Sequence, residues 1–170
     1  DVYGTYVEQV VGVERNNYFN AGMIVINCEQ FRKNHVLEQF MELLQMYNFV
    51  VTQDEDYLNL ICHNKVCWLP QKWNVEVFGT LACPENEICV LHYIMVSKPW
   101  HYRDCRMQDY FWRYAKETPV YDEIMEVLDS YTDEERKRDA ESCDRLLQTA
   151  KDETANENNY MNLVRAGKLK

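Results

Sequence analysis

The sequence lacks any apolar run of the roughly 18 to 20 residues that a membrane-spanning helix requires. Its first residues also lack the basic and then apolar pattern of a secretory signal peptide. From these two absences we expect a soluble protein that stays in the cytoplasm.

Basic residues are in the minority, and the formal net charge is −10 at pH 7. Proteins that bind nucleic acid usually present a basic stripe to the phosphates, so we expect no nucleic-acid partner. The acidic balance also gives no electrostatic attraction to an anionic membrane. A small amphipathic patch at Tyr160, Met161 and Leu163 keeps a peripheral membrane contact open.

The seven cysteines include no Cys-x-x-Cys pair, so the spacing of a zinc ribbon is absent. Cys62 and Cys89 lie inside apolar runs, where a free cysteine behaves as a small hydrophobic residue. Reduced thiols, as in a cytoplasmic protein, are the expected state.

A chain of 170 residues with 46% hydrophobic residues can bury one ordinary core, and the pattern predicts an α/β fold. The β-branched run Met23–Ile26 predicts a strand buried on both faces. Residues 66–69 predict a second strand, and the short run 88–91 predicts a strand that ends at His92. Residues 1–17 show no clear period and are expected to form loop or edge structure.

Helical periods are clearer than the strand signals. Apolar residues recur at helical spacing over 36–47, and further helices are expected over 53–62, after Trp100 and from Thr132 onward. Thr52-Gln53-Asp54-Glu55 and Thr132-Asp133-Glu134-Glu135 both have the form of a capping box. The narrow apolar stripe of the last long helix predicts a mostly solvated helix that docks by one face.

His92 is followed six residues later by Lys98 and then by Pro99-Trp100. A histidine fixed at a strand end can hold a divalent metal, and a lysine in the following loop can neutralise a phosphate on that metal. Either residue alone is ordinary, because a single histidine is more often structural and a single lysine is usually solvated.

Four sequence blocks carry a more specific signal. They are Tyr18-Phe19-Asn20-Ala21-Gly22-Met23-Ile24-Val25-Ile26-Asn27, Gln53-Asp54-Glu55-Asp56-Tyr57-Leu58-Asn59, Leu69-Pro70-Gln71-Lys72-Trp73-Asn74, and His92-Tyr93 with Lys98-Pro99-Trp100. In order and spacing, over about residues 17–121, the chain resembles glycosyltransferase family 8, and most of all its bacterial galactosyl- and glucosyltransferases.

The resemblance implies the C-terminal part of a GT-A-type nucleotide-sugar transferase fold in residues 1–121, with a helical C-terminal extension in 122–170. In the family a manganese ion is held by an Asp-x-Asp pair and by the histidine that corresponds to His92. No Asp-x-Asp stands at a predicted strand end, and nothing before Asn20 resembles the family's nucleotide-binding strands. We therefore expect this chain to supply one metal ligand of three, to lack the uridine pocket and to be inactive alone.

The resemblance also assigns substrate-binding residues. Asn20 and Ala21 match positions that line the sugar pocket, although the same residues could simply form a turn that feeds the next strand. Asp54 matches a residue that binds sugar hydroxyls, and Lys98 matches a lysine that contacts the diphosphate. Glu55 stands where well-known members carry glutamine. It is either a catalytic nucleophile or electrostatic support near the reacting sugar carbon, or only the second partner of the capping box.

Met95 is a further departure from the family, which often has glycine at this position. A glycine there would let the backbone approach a phosphate closely. The departure concerns that backbone contact and leaves the assignments of His92 and Lys98 unchanged.

The implied function is that of a retaining, metal-dependent hexosyltransferase in bacterial cell-surface glycan biosynthesis. Such an enzyme moves a sugar from a UDP-sugar donor to a glycan or lipopolysaccharide-type acceptor. The alternative is a catalytically inactive fragment that binds a glycan or a partner. A third possibility concerns residues 132–170, whose helices could join two copies of the chain into a homo-oligomer.

Overall fold

Helices dominate the computed structural model, which describes residues 1–169 and contains, within that range, one sheet of two short parallel strands. The chain divides into two compact units. The first unit comprises residues 1–67 together with the chain from residue 145 onward, and the second comprises residues 68–144. The predicted domain boundary between residues 121 and 122 was placed where the family resemblance ends, and it stays a prediction.

The first unit is built on its N-terminal segment. Helix α1 (Val2–Tyr6) begins at Asp1, whose carboxylate accepts from the Gly4 amide, and it continues as a π-helical turn over Val7–Val11. The expectation of loop or edge structure over residues 1–17 was wrong for residues 2–11, whereas residues 12–14 are irregular and 15–17 form one 3-10 turn. Val7, Val10, Val11 and Val13 are almost completely buried, but three of them lie in the π-helical turn, whose period differs from the 3.6 residues by which an α-helix is recognised.

Four more α-helices lie wholly in the first unit: α2 (Cys28–Lys33), α3 (Val36–Met46), α4 (Asp54–Cys62) and α8 (Tyr160–Arg165). The predictions for 36–47 and 53–62 are thus confirmed to within a residue. Phe49, Tyr57 and Tyr160 pack with the N-terminal valines in one hydrophobic core.

The two strands predicted for this part of the sequence are absent from the described residues. Met23–Ile26 runs without regular structure, and Val25 is 81% exposed. Residues 66–69 are also irregular, with Trp68 and Leu69 largely exposed. Both predictions were wrong for the same reason, since an apolar run becomes a strand only when another strand lies beside it to accept its hydrogen bonds.

The second unit contains the sheet. Strand β1 (Val75–Glu76) pairs in parallel with β2 (Leu91–His92), with Val75 opposite Leu91 and Glu76 opposite His92. The Val77 amide donates to the His92 carbonyl at 3.1 Å. The prediction of a strand that ends at His92 is confirmed, although the strand is only two residues long.

Helices α5 (Gln108–Ala115) and α6 (Tyr121–Ser130) follow, and α7 (Asp133–Ala155) begins in the second unit. The capping box at its start is confirmed. Glu135 is the acidic residue of this capping box. Its amide donates to the Thr132 hydroxyl at 3.2 Å, and its carboxylate accepts from the Thr132 amide at 2.7 Å. Within residues 1–169, no helix combines the length and the apolar character needed to cross a membrane.

Candidate functional site

Asn59 on α4 holds the turn that contains Asn20 and Ala21. Its side-chain oxygen accepts from the Phe19 amide at 2.8 Å, and its side-chain nitrogen donates to the Phe19 carbonyl at 2.7 Å. The Asn59 amide therefore pairs with the Phe19 backbone much as a neighbouring strand would. Asn59 is fully buried, so the pairing is shielded from water.

Glu55, also on α4, holds the same turn at Ala21, two residues after Phe19. One carboxylate oxygen accepts from the Ala21 amide at 2.7 Å, and the other accepts from the Tyr3 hydroxyl at 3.2 Å. The net effect of burial is to raise the pKa of Glu55, and the hydrogen bonds from Ala21 and Tyr3 oppose this rise.

The predicted capping box at Thr52–Glu55 was wrong. The Glu55 amide donates at 3.1 Å to the backbone carbonyl of Thr52, while the Thr52 hydroxyl lies 2.8 Å from the hydroxyl of Tyr18. The residue before the helix is Gln53, with φ 51° and ψ −112°, and no side chain caps the helix there. The Thr52 amide donates instead to the Asp56 carboxylate at 3.1 Å, and the Glu55 carboxylate accepts from the Ala21 amide at 2.7 Å.

Asp56 forms the buried anchor beneath these contacts. Its carboxylate accepts from the hydroxyls of Tyr6 and Tyr18, both at 2.8 Å, and from the Thr52 amide at 3.1 Å. Complete burial raises the pKa of Asp56, and the tyrosine hydrogen bonds lower it in part. Three donors around one carboxylate fix the first turn of α4 against α1 and against the segment at Tyr18.

The predicted sugar-binding residues lie along this arrangement. Asn20 is half-buried, and its side-chain oxygen accepts from the Gly22 amide at 3.0 Å, as expected of a turn. Ala21 is joined to Glu55 directly, and Asp54 stands exposed as the first residue of α4. Sugar binding by Asn20, Ala21 and Asp54 stays a prediction.

His92 ends β2 in the second unit. Its Nδ1 atom is buried and has no hydrogen-bond partner among the residues that the structure describes. Burial lowers the pKa of His92, and the positive charge of Lys98 lowers it further. A neutral imidazole with an unused ring nitrogen is the form of histidine that binds a metal.

Lys98 lies in the same loop, close enough for its charge to act on His92. Its ammonium group donates to the Tyr93 carbonyl and lies 5.9 Å from the centre of the Trp100 ring. Burial lowers the pKa of Lys98, as expected for a cation that has exchanged water for a carbonyl and an aromatic face.

Met95, between these two residues, has φ 52°, in the left-handed region that favours glycine. The family's frequent glycine at this position therefore has a conformational reason within the loop itself. Met95 adopts the same backbone at a cost of about 1 kcal/mol.

The six candidate residues fall into two groups, one in each unit. Asn20, Ala21, Asp54 and Glu55 belong to the first unit, and His92 and Lys98 belong to the second.

Across residues 1–169, no three His, Cys, Asp or Glu side chains come together to share a metal ion. His92 fits the part of one ligand, because its buried ring nitrogen lacks another partner.

Asp56 and Asn59 were missed as site residues in the sequence. Both are polar residues on the buried face of a helix, at positions where an amphipathic pattern calls for apolar side chains. That interruption is the signal that could have identified them, since a buried polar group requires partners.

The chain belongs to glycosyl transferase family 8, whose sequence profile matches residues 7–104, more than half of its length. Members of this family generally use UDP-sugar donors and a divalent metal. The family has a GT-A fold, whereas the described residues are mostly helical with a small parallel sheet.

Individual relatives are similar at low identity. A protein of Haemophilus influenzae named as a glycosyltransferase is 29% identical over 59% of this chain and 33% of its own length. The lipopolysaccharide 1,3-galactosyltransferase of Salmonella typhimurium is 29% identical over 51% of this chain and 28% of its own length. The lipopolysaccharide glucosyltransferase WaaO of Escherichia coli is 27% identical over 69% of this chain and 34% of its own length.

The matched segment thus spans about a third of the length of these curated relatives. No solved structure matches the chain significantly.

Proposed function

We propose that this chain supplies the C-terminal part of the GT-A catalytic domain of a retaining hexosyltransferase. The complete enzyme would move a hexose from a UDP-sugar to a glycan or lipopolysaccharide-type acceptor. The observation that carries the proposal is the end of β2 with its following loop, where the buried, unpartnered ring nitrogen of His92 is followed by Lys98 in a protein of this family.

Each residue of the loop has a separate task. His92 would hold the divalent metal, manganese by resemblance to the family, and the metal would stabilise the negative charge that develops on the departing diphosphate. Lys98 would place a second positive charge on that diphosphate. Its ammonium group, now donating to the Tyr93 carbonyl, is already partly dehydrated, which favours exchange of the carbonyl for a phosphate oxygen.

The turn at Asn20 and Ala21, with Asp54, would bind the hydroxyls of the donor sugar. We assign Glu55 to the support of this turn, because both of its carboxylate oxygens are engaged by Ala21 and Tyr3. A carboxylate nucleophile must be directed at the sugar carbon, whereas these two contacts direct the Glu55 carboxylate at the turn and at Tyr3. On this ground we propose a front-face reaction in which Glu55 positions other groups, rather than a double displacement on Glu55.

The uridine pocket and the Asp-x-Asp ligands would come from an upstream half of the protein. Two observations support this division. The match covers about a third of each relative, and the apolar residues 23–26 lie exposed without regular structure, as a potential strand would that lacks its neighbour. Alone, the chain is expected to be inactive.

Calorimetric titration of UDP with manganese tests the proposal. It should be run on this chain alone and on the protein that also carries the upstream half. We expect binding only by the longer protein, with His92→Ala weakening metal-dependent affinity by about tenfold or more. His35→Ala is the matched control, because the His35 side chain is exposed at 73%. If the longer protein ignores both UDP and manganese, the transferase proposal fails and a glycan- or partner-binding fragment becomes the better explanation.

A further inference from the structure

A cluster of aromatic and charged side chains joins the start of α7 to the loop that follows Trp100. Its members are His101, Tyr102, Tyr131, Arg136 and Asp139. The rings of His101 and Tyr131 stack at 4.0 Å with an angle of 6° between their planes. The Arg136 guanidinium lies over the rings of Tyr102 and Tyr131, at 5.2 and 5.8 Å from their centres.

Asp139 lies at the centre of this cluster. The same carboxylate oxygen accepts from the hydroxyl of Tyr102 at 2.8 Å and from that of Tyr131 at 2.7 Å. Hydrogen bonds to a charged acceptor are the stronger kind, and two of them converge here on one atom. Burial, followed by the bond to Asp139, raises the pKa of Tyr131 to about 12, so this hydroxyl keeps its proton and remains a donor.

The local sequence explains why these groups meet. The capping box at Thr132 and Glu135 fixes the first turn of α7, which places Tyr131 just before the helix. Asp139 follows about two turns along the same helix and so returns to the side of Tyr131. Tyr102 comes from another part of the chain, 37 residues before Asp139.

Tyr102 is also tied to the backbone of Lys98. The amides of His101 and Tyr102 both donate to the Lys98 carbonyl at 3.0 Å. The loop is closed a second time by Cys105, whose thiol donates to the Ser97 carbonyl at 3.5 Å. A contact that fixes the Tyr102 ring therefore also fixes the Lys98 carbonyl, because the Tyr102 amide donates to it.

We infer that Asp139 is a positioning residue for Lys98, so that α7 is part of the diphosphate-binding apparatus as well as a helical extension. Asp139 fixes Tyr102, Tyr102 fixes the Lys98 carbonyl, and the lysine stem then starts from a defined point. The inference rests on the proposed function of Lys98.

The test compares three changes on α7. Asp139→Ala removes the acceptor of both tyrosine hydroxyls, and Asp139→Asn keeps an oxygen that can accept from both. Asp144→Ala is the matched control, since Asp144 is exposed on the same helix and the change in charge and helix propensity is the same. A second disruption, Tyr102→Phe with Tyr131→Phe, removes the hydroxyls and leaves the carboxylate in place.

Two measurements are made on the protein that carries the upstream half. Amide hydrogen exchange of peptides over residues 97–105 reports on the loop, and calorimetry with UDP and manganese reports on the diphosphate site. Asp139→Ala and the double tyrosine variant should speed exchange over 97–105 and weaken UDP binding by about tenfold. Asp139→Asn should restore most of both, and Asp144→Ala should leave both unchanged.

The outcomes separate this inference from the function on which it rests. If the wild-type protein binds UDP with manganese but Asp139→Ala binds as well as Asp144→Ala does, the inference is wrong and the proposed function stands. If affinity falls while exchange over 97–105 is unchanged, Asp139 acts by another route and the inference is also wrong. If the wild-type protein itself does not bind, the proposed function fails and takes the inference with it.

Discussion

Replacing Glu55 distinguishes a supporting carboxylate from a catalytic one. In the structure its two oxygens accept from the Ala21 amide at 2.7 Å and from the Tyr3 hydroxyl at 3.2 Å. Glu55→Gln keeps an oxygen for Ala21, and its amide nitrogen can donate to the Tyr3 oxygen. Glu55→Ala leaves the half-buried Ala21 amide without its acceptor, which should lower the free energy of unfolding by about 1–3 kcal/mol.

The pH dependence of the two proteins should differ in a defined direction. Because burial raises the pKa of Glu55 in the folded state, ionisation of this group favours unfolding. Above the folded pKa the wild type carries this penalty in full, and Glu55→Gln does not. The free energy of unfolding of the Gln variant, minus that of the wild type, should therefore be largest at neutral pH. It should shrink as the pH falls through the folded pKa and become independent of pH well below the unfolded value of about 4.3.

Urea denaturation at several pH values measures both effects on this chain. A Gln variant as unstable as the Ala variant, or a difference that grows toward acid pH, would refute the supporting role. Sugar transfer by the protein with its upstream half gives an independent reading. A supporting Glu55 predicts that the Gln variant keeps its activity within about tenfold, whereas a nucleophile predicts complete loss, as for other reactions that proceed through a covalent intermediate.

Two further predictions concern backbone geometry and buried polar groups. Met95→Gly should raise the free energy of unfolding by about 1 kcal/mol by relieving the left-handed backbone. Met41→Gly is the control, because the Met41 side chain in α3 is likewise 50% exposed, and it should lower the free energy of unfolding by about 1 kcal/mol. If urea denaturation shows the same effect for both variants, the left-handed backbone of Met95 is not the cause. Asn59→Ala should cost about 2–3 kcal/mol, because both backbone groups of Phe19 lose their partner, and amide exchange at Phe19 should rise. Exchange that remains slow at Phe19 in this variant would mean that another group replaces Asn59.

The structural features that the sequence predicted well depend on residues close to one another along the chain. Helices α3 and α4 follow from apolar spacing, and the capping box at Thr132 joins residues only three apart. The strand that ends at His92 is equally local, whereas the roles of His92 and Lys98 in the site stay predictions.

What the sequence could not predict depends on residues far away. Thr52-x-x-Glu55 has the form of a capping box, but the Glu55 carboxylate is taken by the Ala21 amide, 34 residues earlier. The apolar pattern of Met23–Ile26 predicts a strand only where a second strand pairs with it. Within residues 1–169, no strand pairs with this run. The buried N-terminal valines lie largely in a π-helical turn, so their spacing does not follow the period of an α-helix.

The exposed run Met23–Ile26 has a consequence for work on this chain by itself. Four consecutive apolar residues without proline or charge, irregular and open to solvent, form the kind of segment that pairs with its own copies. Self-association should therefore increase with protein concentration. A charged residue in place of Val25, which is 81% exposed, should improve solubility at little loss of folding stability.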